Sequence, residues 1–387
     1  MLLGMEIKNI NSIGDCKIDF TKAKYKYLES AIMNDKVVSP AVIYGHNGSG
    51  KSSFIMSISS LVQMMIDSPD RIYAFTENKL NTKNLKAKLE KNKDLNIEEY
   101  RDMFSSITLY LSLSNKIYIY TISTSPFKDI VYEGLNCDNK IIFERNDMEY
   151  NYLGESKKIE SGLTMFPYLR KLANDNLRDN GLNNVYNYIS NIAVIHADRK
   201  MFKIKGLLNK SYKDLMVEKS GEIRKILNDY EEFPLYTIGK ENIDLESLTE
   251  KSFNIKNYFF ELEFDNNTLK LPFELISSGM ENQSFVLAVL LSLPQNSVLM
   301  IDELEQALHP TTITSFLNVV REKKIQLIFT CHNTNVMQEL RPDQIYFSKW
   351  KKGYSSISRL SDIYPNIREI NNIEKMYLNN VFDIEED

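Results

Sequence analysis

Glycine is scarce in this chain, 14 of its 387 residues, about half the usual share of roughly 7%. Cysteine is scarcer still. Cys16, Cys137 and Cys331 stand at no paired spacing, which excludes a disulfide framework and fits a reducing, cytoplasmic setting. No apolar run approaches the ~18 residues of a bilayer span, so no membrane partner is expected. The opening Met1–Ile10 has no basic stretch ahead of an apolar core and does not read as a secretory signal. An excess of positive charge is also missing. The 47 Lys and Arg against 52 Asp and Glu leave a net charge of −5, which excludes a chain coated in basic charge but not a local basic face. At 43% hydrophobic and 26% charged residues, the chain is an ordinary soluble protein, with length for two to three domains of roughly 150 residues.

Against that scarcity, three glycines fall within six residues. The segment Gly45-His46-Asn47-Gly48-Ser49-Gly50-Lys51-Ser52-Ser53 fits the phosphate-loop pattern G-x-x-x-x-G-K-[ST], the Walker A motif. Its context strengthens the match. Ala41–Tyr44 is a short apolar run of buried-strand type, and Phe54, Ile55, Ile58, Leu61, Val62 and Met65 recur at helical spacing, so the loop joins strand to helix. Glycines there let successive N–H groups curl round phosphate oxygens at a helix N-terminus, where the dipole also favours an anion. Lys51 is expected at the outer phosphates of ATP, and Ser52 at Mg²⁺. The plain alternative, a glycine turn beside a surface lysine, explains neither flank.

A phosphate loop needs carboxylates from a neighbouring strand. After Ser297, the four apolar residues Val298–Ile301 run into Asp302 and Glu303. Asp302 suits Mg²⁺, through water, and Glu303 suits the base that orients and deprotonates the attacking water. Before that run, Ser277-Ser278-Gly279 opens an apolar helix. This is a second anion-binding helix start, though an isolated serine there is more often a simple cap. After it, Ile325–Thr330 reads as another buried strand that delivers His332, placed to contact the γ-phosphate. Cys331-His332 lacks the second ligand pair of a metal site.

The order G-x-N-G-x-G-K-S, I-S-S-G, L-M-I-D-E, T-C-H resembles the ABC-type ATPase superfamily, closer to SMC and RecF heads than to transporters. Met5–Phe20 is similar to the opening hairpin of those heads. The resemblance implies an α/β P-loop NTPase head with an antiparallel β subdomain. It also implies ATP-dependent homodimers or higher oligomers, in which Ser277, Ser278 and Gly279 touch the partner's nucleotide in trans and His332 is the switch histidine. A narrower resemblance rests on Asp302–Pro310, Leu340–Phe347, Arg359–Ile363 and Tyr377–Phe382, which look like the ATPases of abortive-infection phage defence and the ATPase half of overcoming-lysogenisation-defect proteins. That implies control of a separate effector such as a nuclease, since the 40 residues after Phe347 leave no room for a fused one. One departure stands out. No glutamine occurs between Gln63 and Gln283, so the family's metal-sensing glutamine loop has no counterpart.

Three regions are expected: lobe I over 1–150, with strands at Ile107–Leu113 and Ile117–Ile122; a compact, mostly helical insertion over 151–260, interrupted by a strand at Ile192–His196; and lobe II over 261–387. Two basic runs, Lys79 to Lys93 and Arg199 to Lys225, keep a RecF- or SMC-like DNA-repair ATPase open as the alternative, with nucleic acid as ligand. The net charge and the lack of sustained heptads, hence of long coiled-coil arms, count against it. The large insertion and the missing glutamine count against a transporter subunit, and the retained Glu303 against a scaffold that binds ATP without turnover.

Overall fold

The protein is described by a computed structural model covering residues 1–66, 104–125, 130–159, 164–172, 180–196, 201–203, 211–228, 235–246, 252–264, 267–351 and 353–382. It opens with the hairpin β1 (Leu2–Ile10) and β2 (Ile13–Asp19), then the short pair β3 (Ile32–Met33) and β4 (Val37–Val38), then β5 (Ala41–Tyr44) and helix α1 (Lys51–Ile66). A meander follows, β6 (Ser105–Leu113), β7 (Lys116–Thr124), β8 (Ile130–Cys137), β9 (Lys140–Asn146), β10 (Glu149–Tyr152) and β11 (Glu155–Lys158). Next come α2 (Met165–Leu172), α3 (Asn180–Ser190), β12 (Ala193–His196), β13 (Met201–Lys203), α4 (Tyr212–Asn228) and a second meander, β14 (Tyr236–Glu246), β15 (Ser252–Phe264) and β16 (Asn267–Pro272). The last third holds α5 (Ser278–Ser292), β17 (Val298–Asp302), α6 (Pro310–Glu322), β18 (Gln326–Thr330), β19 (Ile345–Lys351), β20 (Tyr354–Arg359), α7 (Leu360–Ile363) and α8 (Ile373–Leu378).

One sheet runs through the molecule in the order β11-β10-β9-β8-β7-β6-β1-β2-β20-β19-β5-β18-β17-β12-β13. From β19 to β12 the strands are parallel; from β11 to β2 they are antiparallel. In the ladder of described strands the two blocks meet through β20 and β19. The parallel strands read as unbroken apolar runs because both faces are covered. In β5, Val42 and Tyr44 enter one core while Ala41 and Ile43 enter the other. Likewise Leu299 and Ile301 of β17 face α4, α5 and α6, whereas Val298 and Met300 face α1, α2 and α3. A wholly buried Gln326 adds a rung of its own: Leu2 N–H donates to its Oε1 at 3.0 Å, and its Nε2 donates to Leu2 O at 2.7 Å.

The fold class is the expected one, but the make-up of 151–260 differs. Beside α2, α3 and α4, its described residues form β12, β13 and most of the β14–β15–β16 meander, so strand rivals helix there. Period-two burial explains the meander: Tyr236, Ile238, Phe260 and Leu262 are buried, and Tyr236 and Phe260 pack with ring centroids 5.3 Å apart. The lysine run at 79–93 and the Asp198-Arg199 strand end lie outside the described residues.

The C-terminal phrases are structural knots. Arg341 and Asp343 are both fully buried and form an ion pair through Nη2–Oδ2 at 2.5 Å and Nε–Oδ1 at 2.9 Å. The same pair grips the segment after β2: Ala23 N–H donates to Asp343 Oδ2 at 2.8 Å and Arg341 Nη1 donates to Tyr27 O at 3.3 Å. Gln344 Nε2 donates to Pro40 O at 2.7 Å, fixing the start of β5. At the other end of β5, Tyr377 stacks on Phe347 at 5.6 Å and meets Tyr44 at 6.0 Å. The Tyr44 hydroxyl then donates to Asn333 O at 3.1 Å, beside His332.

Candidate nucleotide site

Strand β5 delivers Gly45, and α1 starts at Lys51. The loop between them is pressed onto its neighbours at two points, which is why Gly45 and Gly50 carry no side chain. A Cβ on Gly45 would lie 2.4 Å from Ser348 O and 2.5 Å from Ser49 Oγ. Gly50 has φ +102°, and a Cβ there would lie 2.3 Å from Ser355 Oγ. Such a backbone suits glycine alone. Ser348 Oγ donates to Ser49 O at 2.7 Å, while Ser355 Oγ donates to Ser12 Oγ at 3.0 Å and Ser12 Oγ to Ser53 Oγ at 2.8 Å. Serines from β19, β20 and the β1–β2 turn thus form the floor of the loop. His46, Asn47, Gly48 and Ser52 are exposed at its crown, and the Ser49 hydroxyl is sealed off with no hydrogen-bond partner among the described residues.

Lys51 is buried, with Nζ donating to Gly45 O at 2.8 Å and His46 O at 3.0 Å. Burial holds its ammonium below the ordinary lysine value, against the opposing pull of Glu303, Asp302 and Glu305. A cation desolvated beside three carboxylates, under a cradle of bare backbone, fits an ATP polyphosphate with Mg²⁺.

β18 lies between β5 and β17, so the carboxyl ends of all three strands open on one side of the sheet, where open α/β sheets bind ligands. Asp302 is the last residue of β17, and its Oδ1 accepts from Thr330 Oγ1 at 2.7 Å. Glu303 takes a left-handed backbone, φ 54° and ψ 63°. A non-glycine residue there costs of order 1–3 kcal/mol, a strain found at sites the surrounding structure over-determines. Its N–H donates to the same Thr330 hydroxyl at 2.7 Å, and Gln306 Nε2 donates to its carboxylate. Thr330 is therefore the joint that orients both acids.

His332 is exposed just past β18, and its backbone N–H donates to Glu305 Oε1 at 2.7 Å. Cys331 beneath it is buried; burial first, and Glu305 second, push its thiol well above the usual range. In the adjoining strand, His196 pairs in backbone register with Asp302.

Lys51, Asp302, Glu303 and His332 are thus gathered at one edge. Ser277, Ser278 and Gly279 are placed differently, exposed at the head of α5, where Ser277 Oγ accepts from Met280 N–H at 3.3 Å as an N-cap. Leu275, just before them, is 69% exposed. Sequence reasoning overlooked Thr330, Glu305, Ser12, Ser348 and Ser355. Hydroxyl and acid residues carry no spacing signal, and only the strand order brings them to the loop.

Several solved structures are similar in overall form. An SMC head bound to the C-winged helix domain of ScpA is 12% identical, covering 93% of this chain and 98% of its own, with a TM-score of 0.49. The SMC head domain from Thermotoga maritima is 12% identical over 92% and 98%, TM-score 0.43. A RecF–ATP complex is 11% identical over 92% and 99%, TM-score 0.40. These likenesses are too loose to bear on function. No curated protein matches the chain. Residues 41–338, from the phosphate-loop strand through the histidine loop, match the family described as AAA domain, putative AbiEii toxin, type IV toxin–antitoxin system. The chain belongs to that AAA family.

Proposed function

We propose that this chain binds ATP with Mg²⁺ and hydrolyses it, assembles with copies of itself around the nucleotide, and thereby controls a separate effector protein, such as a nuclease, in abortive-infection defence against phage. The observation that carries the chemical part is the meeting of Lys51 with Asp302 and Glu303 at the carboxyl ends of β5 and β17. In this reading Gly45 to Ser53 wrap the phosphates, Lys51 takes the β- and γ-phosphates, and Ser52 and Asp302 hold Mg²⁺. Magnesium bound there would neutralise charge on the phosphates. Glu303 accepts a proton from the attacking water, and His332 faces the γ-phosphate. The exposure of Ser277 to Gly279 suits contact in trans with a second copy. The defence role rests on the family's AbiEii-type description; residues 151–260 are the part we assign to partner choice.

The DNA-repair reading is weaker. In α4, Lys213, Lys219 and Arg224 face Glu274, Glu222 and Glu263 at 3.6, 2.8 and 2.5 Å, so those cations are not a bare stripe for phosphates.

The test uses the Glu303→Gln variant, which should bind ATP but turn it over at least ~10²-fold more slowly, the loss of a positioned base. Tagged variant captured from its host, with and without nuclease treatment, should hold a stoichiometric protein partner in both eluates. Turnover at the wild-type rate would remove Glu303 as base. Nucleic acid with no protein partner would replace effector control by DNA binding.

A further inference from the structure

Glu305 is the acid the ATPase chemistry leaves unused. It lies two residues past Glu303, in the short turn Leu304–Gln306 that follows β17. One carboxylate oxygen takes the backbone N–H of His332 at 2.7 Å across 27 residues of sequence. The other, Oε2, is closed off from solvent and meets no N–H or O–H among the described residues, and the Cys331 thiol lies near the carboxyl group. A surface acid would keep both oxygens in water; this one has one oxygen closed off at a cost in desolvation, and among the described residues the His332 N–H is the hydrogen bond that holds it. The histidine loop has its own supports further on. Asn333 Oδ1 accepts from Asn335 N–H at 3.0 Å, and Tyr44 OH donates to Asn333 O at 3.1 Å. His332 itself is joined to the acidic turn by the Glu305 bond.

We propose that Glu305 is a positioning residue, a strut that ties the turn carrying Asp302 and Glu303 to the loop carrying His332, so that the histidine stands at a fixed distance from the attacking water. This rests on the ATPase reading above and deepens it. Glu303 and Glu305 share one tight turn, and Gln306, the last residue of that turn, bonds Glu303 through its side chain and α5 through its carbonyl, which accepts from Asn282 Nδ2 at 3.5 Å. A shift of the base therefore moves the strut, and the strut moves His332.

The experiment compares E305A, E305Q, H332A and the double variant E305A/H332A in ATP turnover, with nucleotide affinity followed by a fluorescent ATP analogue. Loss of the strut should lower kcat on the order of 10²-fold, the effect of misplacing a reacting group by about an ångström, and leave analogue affinity within about twofold. E305Q should recover most of that loss, because an amide oxygen still accepts the His332 N–H. The double variant should be no slower than the slower single one, the mark of two residues acting as one unit. A second readout needs no nucleotide: amide exchange at His332 should speed up in E305A and not in E305Q. Losses that multiply in the double variant, or E305Q as slow as E305A, overturn the strut. Slow H332A with E305A at wild-type speed overturns it alone, whereas H332A at wild-type speed overturns the histidine assignment first and the strut with it.

Discussion

A single hydroxyl decides where both acids of the site point. Thr330 donates to Asp302 and accepts from the Glu303 backbone, each at 2.7 Å, and it has no exposed surface. Thr330→Val keeps shape and volume but strands the Glu303 N–H and removes the hydroxyl bond to the Asp302 carboxylate. We expect kcat to fall by about 10-fold or more while the fold loses only ~1–3 kcal/mol, the cost of an unmet buried donor; turnover assays beside urea denaturation separate the two. Legibility at this scale was uneven. The phosphate loop and Asp302-Glu303 announce themselves through glycine spacing and an acidic pair after an apolar run. Thr330 and Glu305 do not, because their partners lie 27 or 28 residues away in sequence and only the pairing of β17 with β18 makes them neighbours.

Among the described residues, two buried ionisable side chains that join elements each give a stability test. Asp343 is fully buried with Arg341. Asp343→Ala would leave the guanidinium unpaired in the interior and release Ala23, which should cost about 3–5 kcal/mol, read as a lower urea midpoint at unchanged slope. Glu133 of β8 is also fully buried. It accepts Tyr120 OH at 2.9 Å and Met165 N–H at 2.8 Å, so it pins the first residue of α2 to the antiparallel block. Burial pushes its carboxyl up to about 7, against the lowering effect of the Met165 N–H, Tyr120 and Arg145. The native state thus holds a proton that the unfolded chain releases near pH 4.5. The stabilisation is whole below that value and is lost as pH rises through about 7. Subtracting the stability curve of Glu133→Gln from that of the wild type should reveal this fall, of order a few kcal/mol; a flat difference would refute it. The elements themselves were readable where periodicity was strong. β5, β17 and β18 appear as apolar runs and α1 as a helical stripe. The β14–β16 meander escaped although Tyr236 and Ile238, and Phe260 and Leu262, alternate at period two; β16 is exposed along almost its whole length, so its Leu269 and Leu271 mark no buried face.

For the molecule as a whole, the telling surface is the head of α5. Ser277, Ser278, Gly279 and Leu275 are exposed while the rest of that helix is buried almost throughout. Ser277→Arg would place a long cation on this face without touching the phosphate loop. We expect ATP binding by one copy to persist and ATP-dependent assembly, followed by light scattering of the Glu303→Gln protein, to vanish. Assembly that survives the arginine would put the contact between copies elsewhere.

The sheet order has a bearing on how the molecule is made. A chain emerging from the ribosome has its phosphate loop out early and its acidic pair by residue 303. Yet β5 pairs with β19, Gly50 rests against Ser355, and the antiparallel block reaches the parallel one through β20 and β19. An unfinished chain that stops before Ile345 carries every residue we propose for the ATP chemistry but lacks Ser348 and Ser355 of the floor under the loop and the strands that join the two blocks. Nucleotide binding is then expected only of chains that extend past β20, and a chain truncated before Ile345 should fail to retain a fluorescent ATP analogue.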